Sequence, residues 1–132
     1  MKPLWQPGEE RIAASQLTRF RQYVEQRYDL NLSNYSALHD WSIDETDQFW
    51  SSIWDFCDVK AGKPYTAVTS NLDHFPGTRW FEGSELNFAE NLMRFRDDEI
   101  ALIGLLENGK RYSYTYAELW AEVERLADAM LQ

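Results

Sequence analysis

Residues Ile100 to Leu106 form an unbroken apolar run, and Asn108-Gly109 follows almost at once. A strand that is apolar at every position is normally covered on both faces, whereas a half-exposed strand alternates. Asn-Gly between two such segments is the strongest short hairpin signal, because a type I′ turn needs φ > 0 at both positions. Lys110 to Tyr114 is therefore expected to return as the second strand. Ile100, Leu102 and Leu106 then face one way, and Ala101, Ile103 and Leu105 the other. Thr115-Tyr-Ala-Glu118 reads as a capping box opening a last helix. The stripe of that helix (Leu119, Trp120, Val123, Leu126, Ala127, Met130) can cover one face of the hairpin. Little else in the chain remains for the other face. The stripe also runs to Leu131 with no Gly, Asn or Pro stop signal after it. The expectation is a larger sheet of which only the first strands are present, and a 132-residue chain that self-associates through the open faces and edges.

The segments before the hairpin are mainly helical in pattern. Ala13, Leu17, Phe20, Val24 and Tyr28 recur at three- and four-residue steps, which predicts one amphipathic helix from Glu9 to Tyr28. Asp29 to Asp40 reads as a polar connector. It contains the formal sequons at Asn31 and Asn34, taken as chance in a polar loop. Ser42-Ile-Asp-Glu45 reads as a second capping box, with a helix to about Val59 whose stripe is Phe49, Trp50, Ile53, Trp54 and Cys57. In that reading Trp50 is central and Trp54 lies at the edge. Lys60 to Gly83 reads as a long irregular loop anchored by Trp80 and Phe81. A short helix follows at about Ser84 to Phe95, with Phe88, Leu92 and Phe95 on one face. The fold class expected is α+β, mainly helical. A helical region at 1–97 precedes the hairpin-helix unit at 98–132, with the division at Asp97-Asp98.

Charge narrows the partners. Residues 1–66 carry 7 basic and 10 acidic side chains, and residues 67–132 carry 6 and 12, for a net charge of −9. Neither half attracts a phosphate backbone, so nucleic acid and anionic membrane surfaces are not expected as partners. No apolar run reaches membrane-spanning length, and no charged segment followed by an apolar core opens the chain, so the expected compartment is the cytoplasm.

No residue presents itself as catalytic, cofactor-binding or metal-ligating. GxGxxG, GxxxxGK[ST] and GxSxG are all missing. His39 and His74 are far apart and lack ligand spacing. Cys57 reads as a small buried hydrophobe. Asp97-Asp98-Glu99 reads as a solvated turn, because consecutive side chains diverge. Asp44, Glu45 and Asp47 read as a first helical turn favoured by the helix dipole. Trp50 and Trp54, one turn apart, read as packing residues before ligand-stacking ones.

The segment Trp80-Phe-Glu-Gly-Ser-Glu-Leu-Asn-Phe-Ala-Glu-Asn-Leu-Met-Arg94 resembles the WF-x-G-x-x-LN-x-x-x-N signature of the acetyl-CoA synthetase N-terminal region. Its AEN-L-x-R ending is closer to the acetoacetyl-CoA synthetase branch. Leu4-Trp5-x-Pro7, Leu38-His-x-Trp41-Ser42 and Phe49-Trp50 fit the same branch. Tyr114-Thr-Tyr-x-Glu-Leu119 is similar to the opening TY-x-EL helix of the AMP-forming ligase domain. The resemblance implies a large enzyme that adenylates a carboxylic acid with MgATP and passes the acyl group to CoA. It implies that this stretch is the structural N-terminal part, with the remainder of the ligase as its partner. The phosphate loop, ribose-binding Asp and catalytic lysine of that family have no counterpart in these residues, so the resemblance assigns no catalytic, cofactor or metal residue here. The other reading is a non-catalytic interaction module that uses the acidic aromatic helix 42–59. Asp40 to Asp58 holds six acids and no Lys or Arg.

Overall fold

The computed structural model describes residues 4–131. The fold is α+β, with helices and two separate antiparallel strand pairs. It divides into two compact units. One runs to Val59 and includes Lys63–Ser84. The other consists of Lys60–Gly62 and the residues from Glu85 onward. The change of pattern at Asp97-Asp98 falls inside the second unit.

In the first unit the expected single helix Glu9 to Tyr28 is two helices, α1 (Glu9–Ala13) and α2 (Gln16–Tyr28). Ser15 makes the break. Its Oγ accepts from the Thr18 amide at 3.2 Å and donates to the Ile12 carbonyl at 2.8 Å, so it closes one helix and caps the next. Asp29 ends α2 in the left-handed region at φ 54°. The expected connector to Asp40 shrinks to residues 29–34, because Asn34 caps α3 (Tyr35–Asp44) by accepting from the Ala37 amide at 3.0 Å. The capping box expected at Ser42 does not form. Ser42 is already helical, and its hydroxyl donates back to the His39 carbonyl at 2.6 Å. The chain turns instead at Glu45 (φ −115°, ψ 53°), and α4 (Thr46–Phe56) starts after it without a side-chain cap on the backbone.

The core lies among α2, the loop after it, α3 and α4. Phe20, Val24, Leu32, Leu38 and Trp41 are buried, with Tyr28, Phe49, Ile53 and Phe56 packed against them. The inward face of α4 is Phe49, Ser52, Ile53 and Phe56, the i, i+3, i+4, i+7 set. Ser52 is fully buried, and its hydroxyl donates to the Tyr28 hydroxyl at 3.2 Å. This corrects the stripe expected through Trp50, Trp54 and Cys57. Trp50 is 37% exposed, Trp54 is half-buried and Cys57 is exposed. Four large apolar residues in six (Phe49, Trp50, Ile53, Trp54) leave the facing direction ambiguous in sequence, and the small buried Ser52 resolves it.

The expected irregular loop contains a strand pair, β1 (Ala67–Ser70) and β2 (Arg79–Glu82), in the register Ala67↔Glu82, Thr69↔Trp80, Ser70↔Arg79. Four-residue strands carry too little alternation to be read from sequence.

In the second unit the expected helix Ser84 to Phe95 is the short α5 (Phe88–Leu92), capped by Asn87 accepting from the Glu90 amide at 3.2 Å. Its expected packed residues Phe88, Leu92 and Phe95 are exposed, and Met93 is the buried one. Then come β3 (Ile100–Leu105), β4 (Arg111–Thr115) and α6 (Tyr116–Leu131), as the apolar run, the turn and the second capping box indicate. The box is reciprocal: the Thr115 amide donates to Glu118 Oε2 at 2.9 Å, and the Glu118 amide to Thr115 Oγ1 at 3.2 Å. Gly104 is required in β3 because the Tyr112 ring of β4 occupies the place a Cβ would take. Leu119 and Trp120 are half-buried, while Val123, Leu126 and Met130 of the expected buried stripe are exposed. Ile100, Leu102, Ile103 and Leu105 of β3 are also about half exposed or more.

The hairpin turn differs from the expected type I′. Gly109 alone has positive φ, at 78°, and its amide donates to the Leu106 carbonyl at 2.9 Å. The Leu106 amide donates to the Lys110 carbonyl at 2.9 Å, which is the three-residue loop ending in a left-handed residue. Space is open around Gly109, so only its backbone conformation is demanding. Gly109→Val is expected to destabilise the hairpin by about 1–3 kcal/mol. Asn108→Ala should cost clearly less. Denaturant melts of the two variants check the order, and equal costs would restore the type I′ turn.

Candidate functional site

The most distinctive sequence segment, Trp80 to Arg94, proves to be a set of structural fasteners. In the first unit, Trp80 meets Trp50 edge-on at 5.4 Å between ring centroids. Phe81 lies against Trp54 at 4.6 Å and against Tyr65 at 5.4 Å, and Trp54 meets Tyr65 at 5.1 Å. Three rings in mutual contact fix β2 onto α4. Phe81 sits at φ 48°, a costly conformation for a bulky residue, and this aromatic contact is what holds it there. Gly83 follows at φ 79°, with Thr66 Oγ1 3.2 Å from where its Cβ would be, so both backbone and space call for glycine. In the second unit Asn87 caps α5. Asn91 accepts from the Lys60 amide at 2.8 Å and donates to the Lys60 carbonyl at 2.8 Å, a two-way clamp on the backbone of one residue.

The charged groups near these rings are paired. Arg27 of α2 meets Asp55 of α4 at 2.5 Å and also donates to Tyr23 at 2.6 Å. The Asp55 carboxylate holds the Arg27 guanidinium above its ordinary value. Burial first, and the Asp55 charge second, push the Tyr65 phenol up, so it stays protonated. Arg79 at 2.8 Å, with Ser70 at 3.1 Å, lowers the Glu82 carboxyl. Thr69 donates to Asp47, tying β1 to α4. These pairings brace the hairpin.

The other sequence candidates are placed as follows. His39 lies in α3 beside the Tyr35 ring, and His74 lies in the turn between β1 and β2, its amide donating to Asn71. Asp97 and Glu99 receive the first amides of α6: Ala117 donates to the Asp97 carbonyl and Tyr116 to the Glu99 carbonyl, each at 3.0 Å. No group of three His, Cys, Asp or Glu side chains suited to a metal occurs among the described residues. The Asn34 sequon residue is a helix cap. Sequence reasoning missed the Asn91–Lys60 clamp and the Tyr65 ring. A lone Asn and a lone Tyr in a loop carry no pattern, although Asn91 belongs to the signature spacing.

Residues 35–92 match the family described as the acetyl-coenzyme A synthetase N-terminus. An acetoacetyl-CoA synthetase of Danio rerio is 37% identical, over 98% of this chain and 19% of the relative. A malonamoyl-CoA synthetase of Penicillium aethiopicum is 35% identical, over 94% of this chain and 19% of its own length. The solved structure of acetoacetyl-CoA synthetase from Streptomyces lividans superposes with a TM-score of 0.80 at 38% identity, covering 90% of this chain and 19% of that one. Residues 35–92 are thus similar to the acetyl-coenzyme A synthetase N-terminus, and that match takes in most of the fastener segment described above. The chain spans about a fifth of the length of the acetoacetyl-CoA synthetases it is similar to.

The aromatic contacts set an order of costs. Trp54→Ala is expected to destabilise the first unit more than Trp50→Ala, by about 1–2 kcal/mol, because Trp54 is half-buried and holds both Phe81 and Tyr65, whereas Trp50 is 37% exposed. Thermal melts followed by near-ultraviolet circular dichroism check this. The opposite order would show that the Trp50–Trp80 pair is the principal fastener.

Proposed function

We propose that this chain is the structural N-terminal part of an acetoacetate–CoA ligase, the enzyme that converts ATP, acetoacetate and CoA to AMP, diphosphate and acetoacetyl-CoA. Residues 1–97 form its helical N-terminal region, and 98–132 the first hairpin and helix of its AMP-binding domain. The carrying observation is the match over 98% of this chain to an acetoacetyl-CoA synthetase, joined to a structure in which the signature residues fasten backbone and rings. The malonamoyl relative at 35% identity argues that this region does not choose the acid. MgATP and CoA belong to the whole enzyme, and the residues here hold neither. The proposed partner is the rest of the ligase, which would cover the open faces of β3 and α6. No helix among the described residues is long and apolar enough to cross a membrane. With the chain's acidic balance, this supports a cytoplasmic enzyme without nucleic-acid or membrane partners.

Two measurements test this reading. The 132-residue chain by itself is expected to give no acetoacetate-dependent ATP–pyrophosphate exchange, because it offers no phosphate loop and carries a charge of −9. Exchange above a buffer blank would overturn the structural assignment. The same chain is expected to self-associate through β3 and the hairpin edges at physiological salt, where exposed charges are screened beyond about 8 Å. Light scattering behind a sizing column should give a mass above 15.6 kDa. A folded monomer would show that the open strand faces need no cover.

A further inference from the structure

The first unit carries a feature that the ligase reading leaves unused. Two hollows of about 290 and 240 Å³ lie side by side and share Leu17, Tyr35 and Leu38. Leu17 and Tyr35 are 51% and 66% exposed, so the floor is apolar and open to solvent. The first hollow is also lined by Arg21, and no Asp or Glu lines either one. In a chain with 22 acids and 13 bases, a half-buried arginine would be expected to have a carboxylate. Arg21 has none among the described residues. Its Nη1 donates to the carbonyls of Leu32 and Ser33 at 3.2 and 3.4 Å, and its Nε is buried with no acceptor. A guanidinium presents five N–H donors in a fork that matches a carboxylate.

We propose that these hollows form a binding site for a medium-chain carboxylate, its head at Arg21 and its aliphatic tail along Leu17, Tyr35 and Leu38 into the second hollow. Charge complementarity selects the acid: the site offers one cation that has no carboxylate partner, and no anion. The tail follows from the floor, because short polar acids would leave the exposed Leu17 and Tyr35 and the half-buried Phe49 and Ile53 uncovered. Each hollow alone falls just short of the usual ligand-pocket range of about 300 to 1,000 Å³, so the tail must run through both. The site is separate from any acyl-transfer chemistry and does not depend on the ligase assignment.

Octanoate, acetate and octyltrimethylammonium are the probes, each titrated at millimolar concentration into the intact chain. Binding is followed by calorimetry and by amide NMR shifts. Octanoate is expected to bind and to move the signals of Leu17 and Tyr35, whereas acetate, without a tail, and the ammonium, with the wrong charge, leave them in place. Arg21→Gln is expected to weaken octanoate about tenfold, the loss of one charge-assisted contact. Leu17→Gln alters an exposed side chain and should weaken it without unfolding the protein. Should Arg21→Gln fail to fold through loss of its hold on Leu32 and Ser33, the Leu17→Gln variant and the comparison of head-group charges decide the matter. The proposal is overturned by absence of octanoate binding, by equal binding of the ammonium, by shifts confined to other residues, or by unchanged affinity in either folded variant.

Discussion

The edge-to-face contacts of Phe20 with Phe49 and Phe56 are what the first unit is built on. The ring centroids are 5.8 and 5.2 Å apart, with planes at 89° and 73°. Two contacts about two turns apart on α4 set both its position and its rotation against α2. Once that rotation is set, Ser52 must enter the core, and Trp50 and Trp54 must point elsewhere. They become the docking points for Trp80 and Phe81. A short strand pair that would be marginal in isolation is thereby secured at several rings.

The same logic explains why the signature residues are of such different kinds. Trp80 and Phe81 bring ring area, Gly83 a left-handed backbone beside Thr66, Asn87 a helix cap, and Asn91 a two-way backbone clamp. Each answers a local demand of geometry. None needs a substrate to account for it, which is consistent with a segment shared by relatives named for different acids. The second unit is organised differently. Its capped helix and hairpin are locally well specified, with Arg96 stacked 3.6 Å over Trp120, yet its apolar strand and helix faces are left open.

Local signals were legible in the sequence. The apolar run 100–106, the turn at Gly109 and the Thr115–Glu118 box specified β3, β4 and the start of α6, because each acts within a few residues. The helical periodicity of α2 was legible for the same reason. The resemblance of residues 80–94 also stood in the sequence alone. Competition between local signals was harder to resolve. Ser15 and Ser42 are both plausible caps, yet one starts a helix and the other bonds back inside one.

What only the tertiary structure decided is which partner each ambiguous group finds. The stripe of α4 allowed two facings, and Phe20 selected the one that buries Ser52 and leaves Trp50 37% exposed. β1 and β2 are four residues each, too short to show a period, and exist because α4 offers rings and Asp47 to hold them. Asn91 finds Lys60, 31 residues away. The sequence by itself determined most of the local elements, the family resemblance and the acidic balance, since these are properties of neighbours and of composition. Rotation of a helix, pairing of short strands and the absence of a carboxylate beside Arg21 depend on contacts between distant residues, and those are settled only when the chain closes on itself.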